Sequence, residues 1–300
     1  MRFRNLVVLL AALAALLLGS PAWAQNKIKV VATFSILGDL VRNVGGDRIE
    51  IATLVGPDGD AHIFSPTPAD ARTLGAAQVV FVNGLGYEGW MTRLVKASAT
   101  KAATVVASAG IKQRLMASEH GHNHAAIDPH AWQSIANAKI YVANIRDGLS
   151  KADPAGNSAY ETNAKAYLSK LDALEQEVTA TISKIPAERR KVITTHNSFG
   201  YFSDVYGMAF IAPAGVATDS EASAKDVARI VAQIKLQKIP AVFLENIANP
   251  RLMQQIARET GAKIGGTLYS DALSAPSGPA GSYIDMMRNN IRELSKALAF

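Results

Sequence analysis

Four side chains with the chemistry of metal ligands are spread over the sequence: His62, His130, His196 and Asp271. Three neutral imidazole nitrogens and one carboxylate oxygen form a four-coordinate set that suits zinc, which accepts tetrahedral nitrogen and oxygen ligands. Manganese prefers a set with more oxygen. An isolated loop histidine is more often a surface residue than a ligand. From spacing alone, each of the three histidines could therefore be an ordinary solvent-exposed residue.

Other residues have positions suited to supporting or supplementing such a site. Asp128 precedes His130 by two residues, and its carboxylate can accept an imidazole N–H. Glu245, at a predicted strand end, is a weaker candidate for the same supporting role. The other three histidines share one short tract, at His120, His122 and His124. We expect this tract to capture zinc loosely or to accept it from a metallochaperone; an accident of composition is the alternative.

Strand-like and helix-like stretches alternate along the chain and must position these residues. Strands are predicted at 27–33, 49–55, 78–82, 102–106, 191–195, 209–211, 241–244 and 263–267. Alternation of strands with helices predicts an α/β fold with parallel sheets. In such sheets ligands bind beyond the carboxyl ends of the strands, where three of the four candidate ligands lie. Two candidates come from each half of the chain, so we expect them to meet in a cleft.

A long helical pattern separates the two halves. Apolar residues recur at three- and four-residue steps from Ala164 to Ile185, after Asp153 and Pro154 as a helix start. About 30 helical residues would span roughly 45 Å, the length of a domain. A coiled-coil arm is one interpretation; a rigid connector between two α/β lobes fits its position better. The predicted segments are therefore a signal peptide at 1–24, lobes at 25–152 and 187–300, and a linker helix at 153–186.

The N-terminal residues predict export. Arg2 and Arg4 precede an apolar run, and Ala22-Trp23-Ala24 is a small-x-small cleavage site, which is the pattern of a signal peptide. The run is short for a membrane span, which needs about 20 residues. The sequence has no cysteine, so a thiolate metal site and attachment through a lipidated cysteine are not expected. We therefore expect a soluble, monomeric periplasmic protein.

The charge of the chain argues against a nucleic-acid partner. The net charge is +6, and it falls to +4 once Arg2 and Arg4 are removed with the signal peptide. The basic residues are scattered, and the one local run, Arg189-Arg190-Lys191, is more typical of a solvated face than of a binding patch.

Four segments, each with one candidate ligand, carry a family resemblance: His62 to Asp70, Asp128 to Trp132, Thr195 to Tyr201 and Ser270 to Leu273. Val31 to Arg42 and the glycine-rich stretch Asn83 to Trp90 add to it. Together these segments resemble the metal-specific solute-binding proteins of ABC importers, the zinc- and manganese-uptake group. The resemblance covers nearly the whole chain after residue 24.

The resemblance implies two α/β lobes joined by one long helix, with the metal in the cleft between them. It implies that His62, His130, His196 and Asp271 are the ligands and that the metal is delivered to an inner-membrane permease driven by an ATPase. Manganese members of the group often have Glu where this chain has His196, so zinc is expected in preference to manganese. Zinc members often have a long His-rich loop before the second ligand, and here that loop is short.

Three other functions compete with metal transport. A periplasmic zinc hydrolase needs an open coordination position for water, and a fourth protein ligand at Asp271 would fill it. An adhesin-like surface protein conflicts with the predicted free periplasmic location. A metal buffer without a permease would have the same ligands. We expect capture and release without bond chemistry, and thus no enzyme.

Overall fold

The protein, described by a computed structural model over residues 27–115, 127–215, 218 and 222–299, has two α/β lobes. The first lobe contains a four-stranded parallel sheet in the order β2-β1-β3-β4. Its strands are β1 (Ile28–Phe34), β2 (Ile49–Val55), β3 (Val79–Val82) and β4 (Ala103–Val106). All four residues of β3, Val-Val-Phe-Val, are buried, because helices cover both faces of a parallel sheet.

The first lobe has four α-helices among the described residues: α1 (Ser35–Gly45), α2 (Pro68–Gly75), α3 (Met91–Ser98) and α4 (Ile135–Ala152). Helix α2 begins at a capping box, in which the hydroxyl of Thr67 accepts from the Asp70 N–H and the Asp70 carboxylate accepts from the Thr67 N–H at 2.7 Å. This cap ends the loop that contains His62.

The second lobe has the same sheet topology. Its four parallel strands follow the order β6-β5-β7-β8. They are β5 (Lys191–Ile193), β6 (Ala209–Ile211), β7 (Ala241–Glu245) and β8 (Lys263–Leu268). Its helices in the described residues are α6 (Gly200–Tyr206), α7 (Ala224–Gln237), α8 (Arg251–Thr260) and α9 (Tyr283–Leu298).

One helix of 27 residues, α5 (Asn157–Ser183), joins the lobes. It is shorter than the predicted 153–186, since Pro154–Gly156 forms a separate 3₁₀ turn. The side chain of Asp153 does not cap a helix as expected. Its carboxylate instead accepts from Arg48 at 2.7 and 2.9 Å and from the Tyr160 hydroxyl at 2.7 Å, which fixes the start of α5 against the first lobe.

The apolar core is continuous across both lobes and α5. One buried cluster includes Leu37 of α1, Leu171 of α5 and Leu294 of α9. A second, smaller cluster lies between β7 and the helices α7 and α8. The core therefore does not divide at the lobe boundary.

Buried hydrogen bonds also join the lobes. The side chains of Trp132 and Gln133 both donate to the carbonyl of Ser270, at 2.9 and 2.8 Å. At the start of α9, the N–H of Tyr283 donates to Asp39 at 2.9 Å and its hydroxyl donates to the Trp132 carbonyl at 2.7 Å. Since such bonds are costly to break without water, they favour a fixed arrangement of the two lobes.

Two predicted features lie outside the described residues: the signal peptide at 1–24 and the tract containing His120, His122 and His124. Within the part of the chain that the structure describes, no helix combines the length and apolar character needed to cross a membrane.

Candidate metal centre

The structure brings together the four predicted ligands, His62, His130, His196 and Asp271. One donor atom from each lies within 4.8 Å of the other three. Asp271 is at the centre. Its Oδ1 is 3.5 Å from His62 Nε2 and 3.0 Å from His130 Nε2, and its Oδ2 is 3.1 Å from His196 Nε2. Each of these side chains reaches the cleft from a different loop.

The sheets explain why these loops converge. His62 follows β2, His196 follows β5 and Asp271 follows β8, so all three lie beyond the carboxyl ends of parallel strands. His130 lies before the short 3₁₀ turn Ala131–Gln133 that leads into α4. The buried bonds of this turn to Ser270, the neighbour of Asp271, align the two lobes where the ligands meet.

The donor spacing fits a small divalent cation. Tetrahedral zinc with bonds of about 2.0–2.1 Å places its ligand atoms roughly 3.3 Å apart. The Nε2 atoms of His62 and His130 are 3.2 Å apart, and the three distances to Asp271 bracket the same value. His196 Nε2 and Asp271 Oδ2 lie 3.1 Å apart but do not form a hydrogen bond, and both are buried with no other hydrogen-bond partner among the described residues. A cation between them would satisfy both atoms, so the donor set fits a metal.

Two carboxylates orient the imidazoles from behind. Asp128 Oδ1 is 2.8 Å from His130 Nδ1, and it also accepts from the His130 backbone N–H at 3.0 Å. Glu245 Oε2 is 2.6 Å from His196 Nδ1. With each Nδ1 facing a carboxylate, the Nε2 lone pair is directed into the cleft. The structure thus places both predicted supporting residues beside the predicted ligands.

Glu245 also fixes the loop that carries His196. Its Oε1 accepts from the backbone N–H of Thr195 at 2.6 Å and of His196 at 3.2 Å, and its Oε2 accepts from the Ser270 hydroxyl at 3.0 Å. One carboxylate at the end of β7 therefore positions the loops of two candidate ligands.

The charges of the site shift its pKa values strongly. Burial by itself lowers the pKa of His196, but Glu245 and Asp271 outweigh it and raise that pKa well above its usual value. Burial also opposes the rise in the pKa of His130, which Asp271 and Asp128 produce. Burial raises the pKa of Asp271, yet the two imidazoles hold it well below its usual range. These shifts mean that protons compete with a cation at His130 and His196 more strongly than at an ordinary histidine.

Burial differs among the four ligands. The side chains of His130 and Asp271 are fully buried and that of His196 nearly so, whereas 6% of the His62 side chain is exposed. His62 is thus the candidate ligand nearest to solvent.

The sequence did not identify two aromatic residues that shape the site. The hydroxyl of Tyr87 donates to Asp271 Oδ1 at 3.5 Å, and its ring packs edge-on against that of His62, with centroids 4.7 Å apart. Phe34 packs on both Tyr87 and Trp132. Tyr87 lies in the glycine-rich stretch Asn83 to Trp90, which carried the resemblance but no predicted role. Its contact to a residue 184 positions away depends on the packing of the lobes.

Comparison with known proteins gives consistent matches over most of the chain. The sequence model of the family ZnuA, "Zinc-uptake complex component A periplasmic", matches residues 30–297. The manganese-binding lipoprotein MntA of Halalkalibacterium halodurans is 34% identical over 88% of this chain and 86% of its own. The iron-binding protein YfeA of Yersinia pestis is 32% identical, over 94% of this chain and 90% of its own.

A solved structure has the same fold. The periplasmic zinc-binding protein TroA of Treponema pallidum superimposes with a TM-score of 0.86 at 30% identity, covering 92% of this chain and all of that one. The solved relative thus shares the two-lobed architecture, and the names of the three relatives specify three different metals.

Proposed function

Since the chain belongs to the family of zinc-uptake complex component A proteins, we propose that it captures Zn²⁺ in the interlobe cleft and delivers it to an ABC-type permease. The family consists of metal-binding substrate-binding proteins of ABC importers, so the chain is a transport protein and not an enzyme. The observation that carries the proposal is the convergence of three imidazoles and one carboxylate on one point. We assign His62, His130, His196 and Asp271 as the ligands of the transported ion.

The composition of this donor set supports zinc as the ion. Three of its four donors are imidazole nitrogens, which zinc accepts in tetrahedral geometry, whereas manganese favours oxygen. Manganese is the alternative ion, supported by relatives that are named for it. Zinc is favoured by a nitrogen donor at the position of His196 and manganese by an oxygen donor. The side chain at this position therefore sets the ratio of nitrogen to oxygen donors in the site.

The charges around the bound ion and the exposure of its ligands support a model for capture and release. One carboxylate ligand and three neutral imidazoles leave a bound divalent cation with a net charge of +1, which Asp128 and Glu245 compensate from behind the ring nitrogens. We propose that the ion enters and leaves on the side of His62, the most exposed ligand. Lobes at 25–152 and 187–300, joined by the linker at 153–186, would then stay at a fixed distance while the loops move.

The proposed route places the chain outside the cytoplasm with a membrane permease as its partner. Relatives named as substrate-binding lipoproteins of metal ABC transporters support this location and partner. We propose a periplasmic monomer loaded from solution or by a metallochaperone, with His120, His122 and His124 as an auxiliary capture loop.

Native mass spectrometry with elemental analysis tests the proposed function. We expect one zinc ion per chain after exposure to equal concentrations of zinc and manganese, and restored growth on low zinc when the chain is returned to a strain that lacks it. A more weakly bound second ion that disappears when His120, His122 and His124 are replaced by Ala would identify the auxiliary loop. Protein that binds no divalent metal under these conditions would contradict the proposal.

Metal affinity is expected to depend steeply on pH. Because the pKa values of His130 and His196 are raised, both imidazoles protonate as the pH falls through a range above the ordinary histidine value of about 6.5. Zinc affinity should therefore begin to fall above this pH. Chelator competition between about pH 5.5 and 8.5 measures the midpoint of this fall, that is, the pH at which half of the change in zinc affinity has occurred.

Glu245→Gln is the matched variant for this measurement. It removes the charge that contributes most to the raised pKa of His196, so the midpoint should move to lower pH. A wild-type midpoint at or below about 6.5 would show that the carboxylates do not raise these pKa values in solution.

A further inference from the structure

Arg114 lies beside Asp128 at the closure of a loop in the first lobe. The residue after it, Leu115, pairs with Ile127 in an antiparallel bridge, and the Asp128 N–H donates to the Arg114 carbonyl at 2.9 Å. Two neighbouring chain segments therefore carry Arg114 and Asp128 side by side. The loop itself lies outside the described residues.

Arg114 reaches across the cleft to the second lobe. Its guanidinium Nε donates to Asp204 Oδ2 in α6 at 3.0 Å, and its backbone N–H donates to the Tyr201 hydroxyl at 2.9 Å. The same guanidinium approaches Asp128 Oδ2 with its Nη1 at 3.5 Å. One planar side chain therefore bridges a carboxylate of each lobe, a geometry for which arginine is better suited than lysine.

The two oxygens of Asp128 have separate partners. Oδ2 faces Arg114, while Oδ1 receives both the backbone N–H and the ring Nδ1 of His130. Asp128 is fully buried, and the exposed fraction of the side chain rises to 28% at Arg114 and 59% at Asp204. A continuous chain of contacts thus runs from the surface of the second lobe to a ligand of the first.

The first residue of α6 packs directly against this chain. A Cβ at Gly200 would lie 2.5 Å from Arg114 Nη1 and even closer to Asp128 Oδ2. The start of α6 is therefore packed so closely against Arg114 and Asp128 that a methyl group at Gly200 would not fit.

We propose that Arg114 is a positioning residue that couples the seating of α6 to the orientation of His130 and thereby sets how fast the metal leaves. The inference rests on the proposed function and adds a residue to it. When Arg114 holds Asp128 against His130, the imidazole is fixed with Nε2 in the cleft. When the contact to Asp204 is lost, Asp128 keeps its bond to His130 but loses its outer support, and the ring gains freedom to tilt away from the ion.

Stopped-flow release of zinc to a chromogenic chelator tests this coupling. Arg114→Met keeps the apolar stem and should raise the release rate about tenfold, the lower end of the effect of losing an outer partner of a metal ligand. Asp204→Asn and Gly200→Ala disturb the same contact from the second lobe and should raise the rate by smaller factors. The association rate should stay within about twofold in all three, since none alters a ligand.

A spectroscopic readout separates positioning from general loss of stability. The visible absorption of the Co²⁺-loaded protein reports the geometry of its ligands, so tilting of His130 should change the band pattern in Arg114→Met. Arg114→Lys keeps a charge beside Asp128 but does not reproduce the bridge to Asp204, so it should restore the wild-type spectrum only in part. Arg288→Met is the matched control, because it removes an arginine whose 2.9 Å ion pair with Glu177 joins α9 to α5.

Unchanged zinc release and an unchanged cobalt spectrum in Arg114→Met would overturn the inference, as would an equal effect of Arg288→Met. Wild-type protein that binds no metal would instead overturn the proposed function itself. The two failures are therefore distinguishable in one set of proteins.

Discussion

Replacing Asp271 with Asn is expected to weaken zinc binding by about 10²- to 10⁴-fold, the equivalent of roughly 3–5 kcal/mol for breaking a buried charge pair. Asp271 is the one carboxylate among the four donors and lies at 3.0–3.5 Å from all three imidazole nitrogens. The amide keeps the shape of the side chain and removes its charge, so a buried cation would be left with neutral ligands only. Competition with a chelator of known affinity measures the loss.

The pH dependence of this loss gives an internal check. In the metal-free wild type, Asp271 helps to raise the pKa values of His130 and His196 and so favours the protons that compete with zinc. The variant lacks that charge and should bind protons less well, so its deficit should be largest at high pH and should shrink as the pH falls. Asp172→Asn, which changes an exposed carboxylate paired with Lys139, is the control and should bind zinc normally. A deficit below tenfold would remove Asp271 from the ligand set.

The choice between zinc and manganese is expected to shift when His196→Glu is combined with Glu245→Gln. The double variant exchanges a nitrogen donor for oxygen, so zinc affinity should fall by about 100-fold and manganese affinity by less. The single variant His196→Glu should bind both metals poorly. It would place a second carboxylate against buried Glu245, and two such groups cannot both stay ionised at short distance.

Glu245→Gln relieves that conflict without dismantling the loop. The amide oxygen can still accept from the backbone N–H groups of Thr195 and His196, while the amide NH₂ can donate to the new carboxylate. Glu245→Gln alone is the control and should cost zinc affinity about tenfold. Equal losses for both metals in the double variant would show that His196 does not determine the selectivity.

Much of the fold could be predicted from the sequence because the strands are short apolar runs between loop residues. All eight strands appear within about two residues of their predicted ends, as expected for boundaries of this kind. No helical repeat in the sequence indicates α3 or α6. They have eight and seven residues, which is too short for a repeat of 3.6 residues to stand out.

The candidate site was less accessible to sequence reasoning than the fold. Strand ends and the family resemblance led to His62, His130, His196 and Asp271, and the structure brings their donor atoms together. Tyr87 and Arg114 carried no local signal, since their roles come from contacts with residues 184 and 90 positions away. Asp153 was misread for a related reason: it has the residue type and place of a helix cap, but Arg48 and Tyr160 compete successfully for its carboxylate.

Helix α9 connects the end of the chain to its beginning. Tyr283 donates to Asp39, 244 positions earlier, and α9 contributes Leu294 to the core that also contains Leu37 of α1. Asp39 and Leu37 are therefore synthesised long before the residues of α9 that contact them or share their core. We therefore expect the interior of the first lobe to stay incomplete, with its apolar faces accessible to chaperones and proteases, until α9 packs against it.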